Sequence, residues 1–331
     1  LVVAGAFALS ACRSPSGSST ESITLYSGQH VATTDKLVSG FEKATGINVN
    51  VRFDDEDTLA DQIVTEGSHS PADVIYTENS PVLEFLQNKG LLSSVTPSTL
   101  THVPSRFSSA QHDWVGVSAR VSVLIYNPKL IKASALPTSV SQLADPRYKG
   151  ELAFAPGETD VQPIITSYIR HYGESAALRW LDAIKVNAGA HLYPDNETIA
   201  NEVNRGVVAF GVVNQYYWYR MRAEIGAGNV TSKITYFAPH DPGYVLDVSG
   251  AAVLRSSVHQ KLAQKFLAFL VSKQGQEIIA HSISFEYPIG SDVTTIEHET
   301  PFNELEPNAI TIPELGDGSA AIALLHQSGL L

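Results

Sequence analysis

The chain has 331 residues, 44% of them apolar and 17% charged, which is long enough for two globular domains. A formal charge of −12 argues against a nucleic-acid partner, which would need a basic face. The single cysteine excludes intrachain disulfides and any multi-thiolate metal site.

The first element, residues 1–11, is an apolar stretch ending in small residues and reads as the remnant of a secretory signal. It is too short to cross a bilayer as a helix of about 20 residues. Leu9-Ser10-Ala11-Cys12 has the form of a bacterial lipobox, so cleavage would leave Cys12 as a lipid-carrying N-terminus. Residues 12–20, rich in Ser and Gly, would then be a tether. The other reading of this region is a short buried helix with an inert thiol. The expected location is extracytoplasmic, at the cell surface or in the periplasm, with the lipid as the sole membrane attachment.

Strand and helix signals then alternate. Ile23 to Tyr26 reads as a strand, and Thr34-Asp35 predicts the cap of a helix that Gly46 ends. Ile47, Val49 and Val51 alternate as a second strand. A helix over 59–66, a strand over 72–76 and a helix opened by Ser80-Pro81 follow. Such βα units imply a mainly parallel sheet covered by helices, with ligands beyond the carboxyl ends of its strands. Residues 114–126 form an extended apolar run, longer than the mean strand of about five or six residues, and can pass between two lobes as a hinge. Beyond it the pattern predicts a strand over 151–155, helices over 161–172, 174–185 and 197–204, and strands over 207–213 and 249–254. A long amphipathic helix opens at Ser256-Ser257, and a last helix covers 318–327. The expected organisation is α/β and two-lobed. Lobe one is 21–121 plus 247–297, and lobe two is 122–246 plus 298–331.

Three strand ends carry chemistry. Tyr26-Ser27-Gly28-Gln29-His30 places an imidazole after the first strand, and Tyr76-Thr77-Glu78-Asn79 a carboxylate after the third. Asn214-Gln215-Tyr216-Tyr217 places two phenols where a strand meets a helix. Mid-helix neighbours point about 100° apart, so the pair shares a target only if the backbone there is not yet helical. The bland alternatives are boundary aromatics for the tyrosines and solvated loop residues for His30 and Glu78. Taken together, the four offer one nitrogen, one carboxylate and two phenols. Phenol, with a pKa near 10, is a poor ligand for Zn²⁺ or Ca²⁺ at neutral pH. A hard trivalent ion such as Fe³⁺ can displace its proton. Two phenolates plus Glu78 supply three negative charges, which balance Fe³⁺ and leave two octahedral positions for an anion or water.

These residues, with Ser70-Pro71-Ala72-Asp73-Val74, His240-Asp241-Pro242-Gly243, Ser249 to Leu254 and Glu286-Tyr287-Pro288, resemble the bacterial ferric-iron-binding proteins, the receptors of ABC iron importers. The resemblance implies a two-lobed periplasmic-binding-protein fold of type II and ferric ligands at His30, Glu78, Tyr216 and Tyr217. It implies an ABC permease and its ATPase as partners, with the receptor working as a monomer. Many relatives add a synergistic anion such as phosphate or carbonate, for which the matching positions here are Asn79, Thr159, Asn196 and Asn214. The family's Ser-Gly-Ala type turn is replaced by Pro156-Gly157-Glu158-Thr159-Asp160. If Glu158 and Asp160 face inward they would repel a phosphate; they could instead be helix-start acids facing solvent. Arg120 is either a counter-charge to the site or a surface ion-pair partner.

Two other functions compete: a receptor of the same fold for a small organic anion or phosphonate, and a hydrolytic or iron-dependent enzyme. The sequence has no Gly-x-Ser-x-Gly elbow, His-Glu-x-x-His helix or phosphate loop, so a receptor is expected.

Overall fold

Alternating burial along β1 (Ser22–Ser27) begins a β/α series that carries the chain to the middle of the fold in the computed structural model, which describes residues 21–290, 293 and 299–331. Cys12, the signal remnant, the tether and the expected end of lobe one at 297 lie outside the described residues. The series continues through α1 (Val31–Thr45), β2 (Asn48–Phe53), α2 (Glu56–Glu66), β3 (Val74–Thr77) and α3 (Ser80–Asn88). Short pieces follow, β4 (Leu92–Ser93) and α4 (Pro97–Leu100), and then the long strand β5 (Val115–Tyr126). A second series comprises β6 (Leu152–Ala153), α5 (Val161–Tyr172), α6 (Glu174–Ala188), α7 (Asn196–Arg205), β7 (Phe210–Asn214) and α8 (Gln215–Ile225). The chain ends through β8 (Lys233–Thr235), β9 (Leu246–Leu254), α9 (Gln260–Leu270), α10 (Lys273–Ala280), β10 (Tyr287–Pro288) and α11 (Ser319–Ser328).

The strand order is β2-β1-β3-β9-β5-β7-β6, with β10 and β8 also on β5 and β4 on β9. The sheet is mixed rather than mainly parallel. β1 pairs in parallel with β2 and β3, and β6 with β7, but β9 and β5 run antiparallel to their neighbours. The reason lies in β5. All twelve of its residues are buried. Its first part, Val115 to Val121, pairs with β9, and its second part, Ser122 to Tyr126, pairs with β7. One continuous strand thus serves both halves of the fold, with the change of partner between Val121 and Ser122.

Local signals explain most boundaries. Gly46 closes α1 at φ 74°, a left-handed value that glycine adopts without steric cost. α1 starts at Val31, three residues before the expected cap, because His30 supplies the first helical carbonyl, to Thr34 N at 3.0 Å. The expected strand over 151–155 shrinks to two ladder residues plus a bridge from Phe154 to Leu192. The long helix after Ser256-Ser257 starts at Gln260 and is followed by α10, capped by Ser272, whose side chain accepts from Gly275 N. α11 returns to α6, where Lys185 Nζ donates to Ser328 O at 2.9 Å and Gly329 O at 2.8 Å at its carboxyl end.

The first half of the core centres on Phe41, fully buried, edge-on to Phe266 at 5.0 Å and to Phe269 at 5.7 Å. In the second half Tyr168 stacks on Trp180 at 4.7 Å. Phe41→Ala removes the ring that joins α1 to α9. We expect a loss of about 3–5 kcal/mol, measured by urea unfolding. A loss under about 1 kcal/mol would show that the two helices are held by other contacts.

Candidate functional site

The carboxyl ends of β1, β3 and β7 open onto one cleft, as the strand-end rule requires. After β1 the chain turns at Gly28, where a Cβ would lie 2.5 Å from Glu56 Cβ. Only glycine allows β1 to pass so close to α2, and the turn delivers His30. After β3 the turn presents Glu78, with its N–H and that of Asn79 both bonded to Glu56 Oε2, at 2.7 and 3.0 Å. After β7, helix α8 begins at Gln215, so Tyr216 and Tyr217 are already helical, contrary to the expectation for that junction. Their side chains nevertheless share a target. Helical side chains lean toward the amino terminus, and in a first turn that direction is open cleft. The two rings lie 4.2 Å apart, tilted by 30°.

The four groups converge. His30 Nδ1 lies 2.9 Å from Glu78 Oε1, and Tyr216 OH donates to Glu78 Oε2 at 3.4 Å. The imidazole stands edge-on to the Tyr216 ring at 5.2 Å. Cis ligands of an ion held at roughly 2.1 Å lie about 3 Å apart, so the Glu78 carboxylate and the Tyr216 phenol, 3.4 Å apart, need little adjustment to share one. Tyr216 is fully buried and Tyr217 is 8% exposed, while Glu78 keeps part of its side chain open to the cleft.

The candidates for an anion site divide. Asn79 Nδ2 donates to Thr159 Oγ1 at 2.9 Å and to Asp160 Oδ1 at 3.1 Å, and Asn196 Nδ2 donates to Asp160 Oδ2 at 3.0 Å. Tyr216 OH also reaches Asp160 Oδ2, at 3.3 Å. Asp160 therefore points inward, 5% exposed, and gathers Asn79, Asn196 and Tyr216 on one carboxylate. Glu158 also turns into the cleft and accepts from Asn196 N at 3.1 Å. Asn214 ends β7, buried in the ladder opposite Ser122, and among the described residues its side chain makes no hydrogen bond to this group. Arg120 is no surface residue. It is fully buried, ion-paired with Glu286, and 3.3 Å from Asn79 Oδ1.

Desolvation dominates the titration of the site. Burial, then the charges of Asp160 and Glu78, push the Tyr216 phenol well above 10, and burial and Asp160 do the same to Tyr217. Burial also raises Asp160, with Arg120 opposing, while burial and Asp160 push Glu158 up to about 8. Glu78 goes the other way: burial raises it, but His30, Arg120 and Arg220 together outweigh that and hold it below the usual carboxylate range. The cavity onto which His30, Glu78, Glu158 and Tyr217 open, about 450 Å³, is lined by seven acidic side chains (Asp55, Glu56, Asp57, Glu78, Glu158, Asp195, Glu197) against Arg220 and His30. Its field therefore favours cations.

Sequence reasoning missed Glu56 and Gln29. Glu56 sits in the first turn of a helix, where an acid is ordinarily explained by the helix dipole. Only the turn at Gly28 hinted at a close neighbour. Burial, with the charges of Asp57 and Glu78, pushes Glu56 up to about 8 against the ordinary 4.5. A raised folded value means that the folded state holds the extra proton. The stability from this group is complete below about 4.5 and is lost as pH rises through about 8. We expect the urea midpoint of the iron-free protein to fall between pH 5 and pH 9, with a flatter fall in Glu56→Gln. Equal slopes would show that Glu56 titrates normally.

Comparison with known proteins extends the likeness over nearly the whole chain. Residues 69–310 match the family described as bacterial extracellular solute-binding protein. The chain is 36% identical over 314 residues to the Fe(3+)-binding periplasmic protein of Serratia marcescens, covering 95% of this chain and 92% of that one. It is 33% identical over 310 residues to the major ferric iron-binding protein of Neisseria meningitidis, covering 93% of each. The crystal structure of iron-bound HitA from Pseudomonas aeruginosa matches with a TM-score of 0.88 at 39% identity, covering 93% of this chain and 99% of that one. The architecture is accordingly the two-lobed type II periplasmic-binding-protein fold, and the chain belongs to the bacterial extracellular solute-binding proteins, which are transport receptors and not enzymes.

Proposed function

We propose that this chain is an extracytoplasmic receptor that captures ferric iron through His30, Glu78, Tyr216 and Tyr217 and hands it to an ABC permease and its ATPase. The observation that carries the reading is the meeting of two buried phenols, a carboxylate and an imidazole at the bottom of an acidic cleft. The names of the Serratia and Neisseria relatives support it. Phenols raised this far stay protonated without a cation, so the ion must displace two protons, and a trivalent hard ion does this where a softer divalent ion does not. The receptor works as one chain, held outside the cytoplasm by lipid on Cys12. Among the described residues no helix is long and apolar enough to cross a membrane.

We read Asp160 as the chain's own anion. Asn79 and Asn196 are donors that a bound phosphate or carbonate would use, and they are already turned toward this carboxylate. A second anion would meet Glu158 and Asp160 at close range. The same field disfavours iron delivered as an anionic chelate and favours a hydrated cation. It also weighs against a small organic anion or phosphonate as cargo.

Titrating the iron-free protein with a chelated ferric salt tests this. We expect a visible phenolate-to-iron charge-transfer band, of equal strength with and without phosphate or carbonate. Tyr216→Phe and Tyr217→Phe should each weaken binding by more than the roughly 10–100-fold that loss of a supporting hydrogen bond costs a metal site. Asp160→Ser should bind tightly only when phosphate is added. A colourless wild-type titration would overturn the ferric reading and leave the organic-anion receptor. An anion requirement in the wild type would overturn the role given to Asp160.

A further inference from the structure

One network beside the cleft is not accounted for by the four donors. Gln29, 3% exposed, lies between His30 and Glu286. Its Oε1 accepts from the His30 backbone N–H at 2.7 Å and also faces His30 Nδ1 at hydrogen-bond distance. Its Nε2 donates to Glu286 Oε2 at 3.1 Å. Glu286, 2% exposed, is ion-paired with Arg120 and accepts from Ser118 Oγ at 2.8 Å. The Gln29 amide therefore cannot be reversed. Reversal would set its NH₂ against a backbone N–H and its carbonyl against a carboxylate.

We propose that Gln29 is a positioning residue: locked by Glu286, it holds the His30 ring with Nδ1–H toward its own Oε1, so that Nε2 carries the lone pair offered to the metal. The inference rests on the ferric reading of the site. A metal-binding imidazole commonly donates its other N–H to a carbonyl or carboxylate, which sets both tautomer and ring direction. In the iron-free site Glu78 Oε1 also faces Nδ1, at 2.9 Å. Once Glu78 turns to the ion, Gln29 is the acceptor that stays.

The aim of Glu286 is itself constrained. Phe285, just before it, has φ 55°, in the left-handed region that a bulky residue rarely enters. Its carbonyl accepts from Gln215 Nε2 at 3.1 Å, and Gln215 Oε1 accepts from Val121 N at 2.9 Å. Gln215 directly precedes Tyr216. Residues 285 and 286 thus support both the imidazole arm and the tyrosine helix, across the point where β5 changes partner. The strained φ at Phe285 lets one segment turn its carbonyl to one arm and its next side chain to the other.

The test is ¹⁵N–¹H spectroscopy of the His30 ring in the iron-free full chain, in mildly alkaline buffer, with ferric titration alongside. We expect Nδ1–H in the wild type. In Gln29→Leu, of similar size, Glu78 still faces Nδ1 without iron, so the effect is read on the loaded protein: ferric binding weakened about 10–100-fold, with the charge-transfer band kept. An Nε2–H wild-type ring would overturn the proposal even if no variant folds. So would unchanged affinity in Gln29→Leu. A missing band in the wild type would count against the ferric reading instead, since the tautomer is read without metal.

Discussion

Arg120 sits fully buried in the strand shared by both halves of the molecule, and the acidic groups of the cleft are arranged around it. It is ion-paired with Glu286, reaches Asn79, and lies 5.6 Å from the Tyr216 ring. Burial opposes the charge on its guanidinium, but the carboxylates of Glu78, Asp160 and Asp247 outweigh it and keep the group protonated. Removing one partner of such a buried pair leaves an uncompensated charge and costs about 3–5 kcal/mol.

That arrangement explains how an empty receptor stays ready for its cargo. Without a cation, burial keeps the phenols neutral, and the Tyr216 hydroxyl lies between the Glu78 and Asp160 carboxylates, which would otherwise repel each other. On the proposed ligand set, an incoming trivalent ion would reverse the balance: phenolate would become the favoured form and Glu78 would gain a partner. The polar framework around the donors, Glu56 on the Glu78 turn and Gln29 on the imidazole, holds positions that the ion alone would have to organise. Preorganisation of this kind reduces the ordering cost of binding.

Much of the fold was legible. Gly46, Ser80-Pro81 and the helix over 161–172 acted through local backbone preferences, which operate wherever the segment lies. The strand over 151–155 failed because its apolar residues are buried by helices rather than by a ladder, and burial alone does not distinguish the two. The junction at Tyr216 failed differently. A shared target for the two phenols was expected to need non-helical backbone, because mid-helix neighbours diverge; α8 starts at Gln215 instead, and side chains in its first turn lean back past the helix end.

The amino-acid sequence by itself determined the chemical inventory and its placement at strand ends: an imidazole, a carboxylate and paired phenols, each following a β run. Those follow from residue type and periodicity, which are local. Only the tertiary structure decided which way Glu158 and Asp160 face, that Arg120 is buried, and that Glu56, Gln29 and Glu286 support the donors. Each of these depends on contacts between segments far apart in the chain, Gln29 with Glu286 and Asn79 with Asp160 among them. The orientation of a polar side chain is set by the partner it finds, and that partner is named only when the chain has folded.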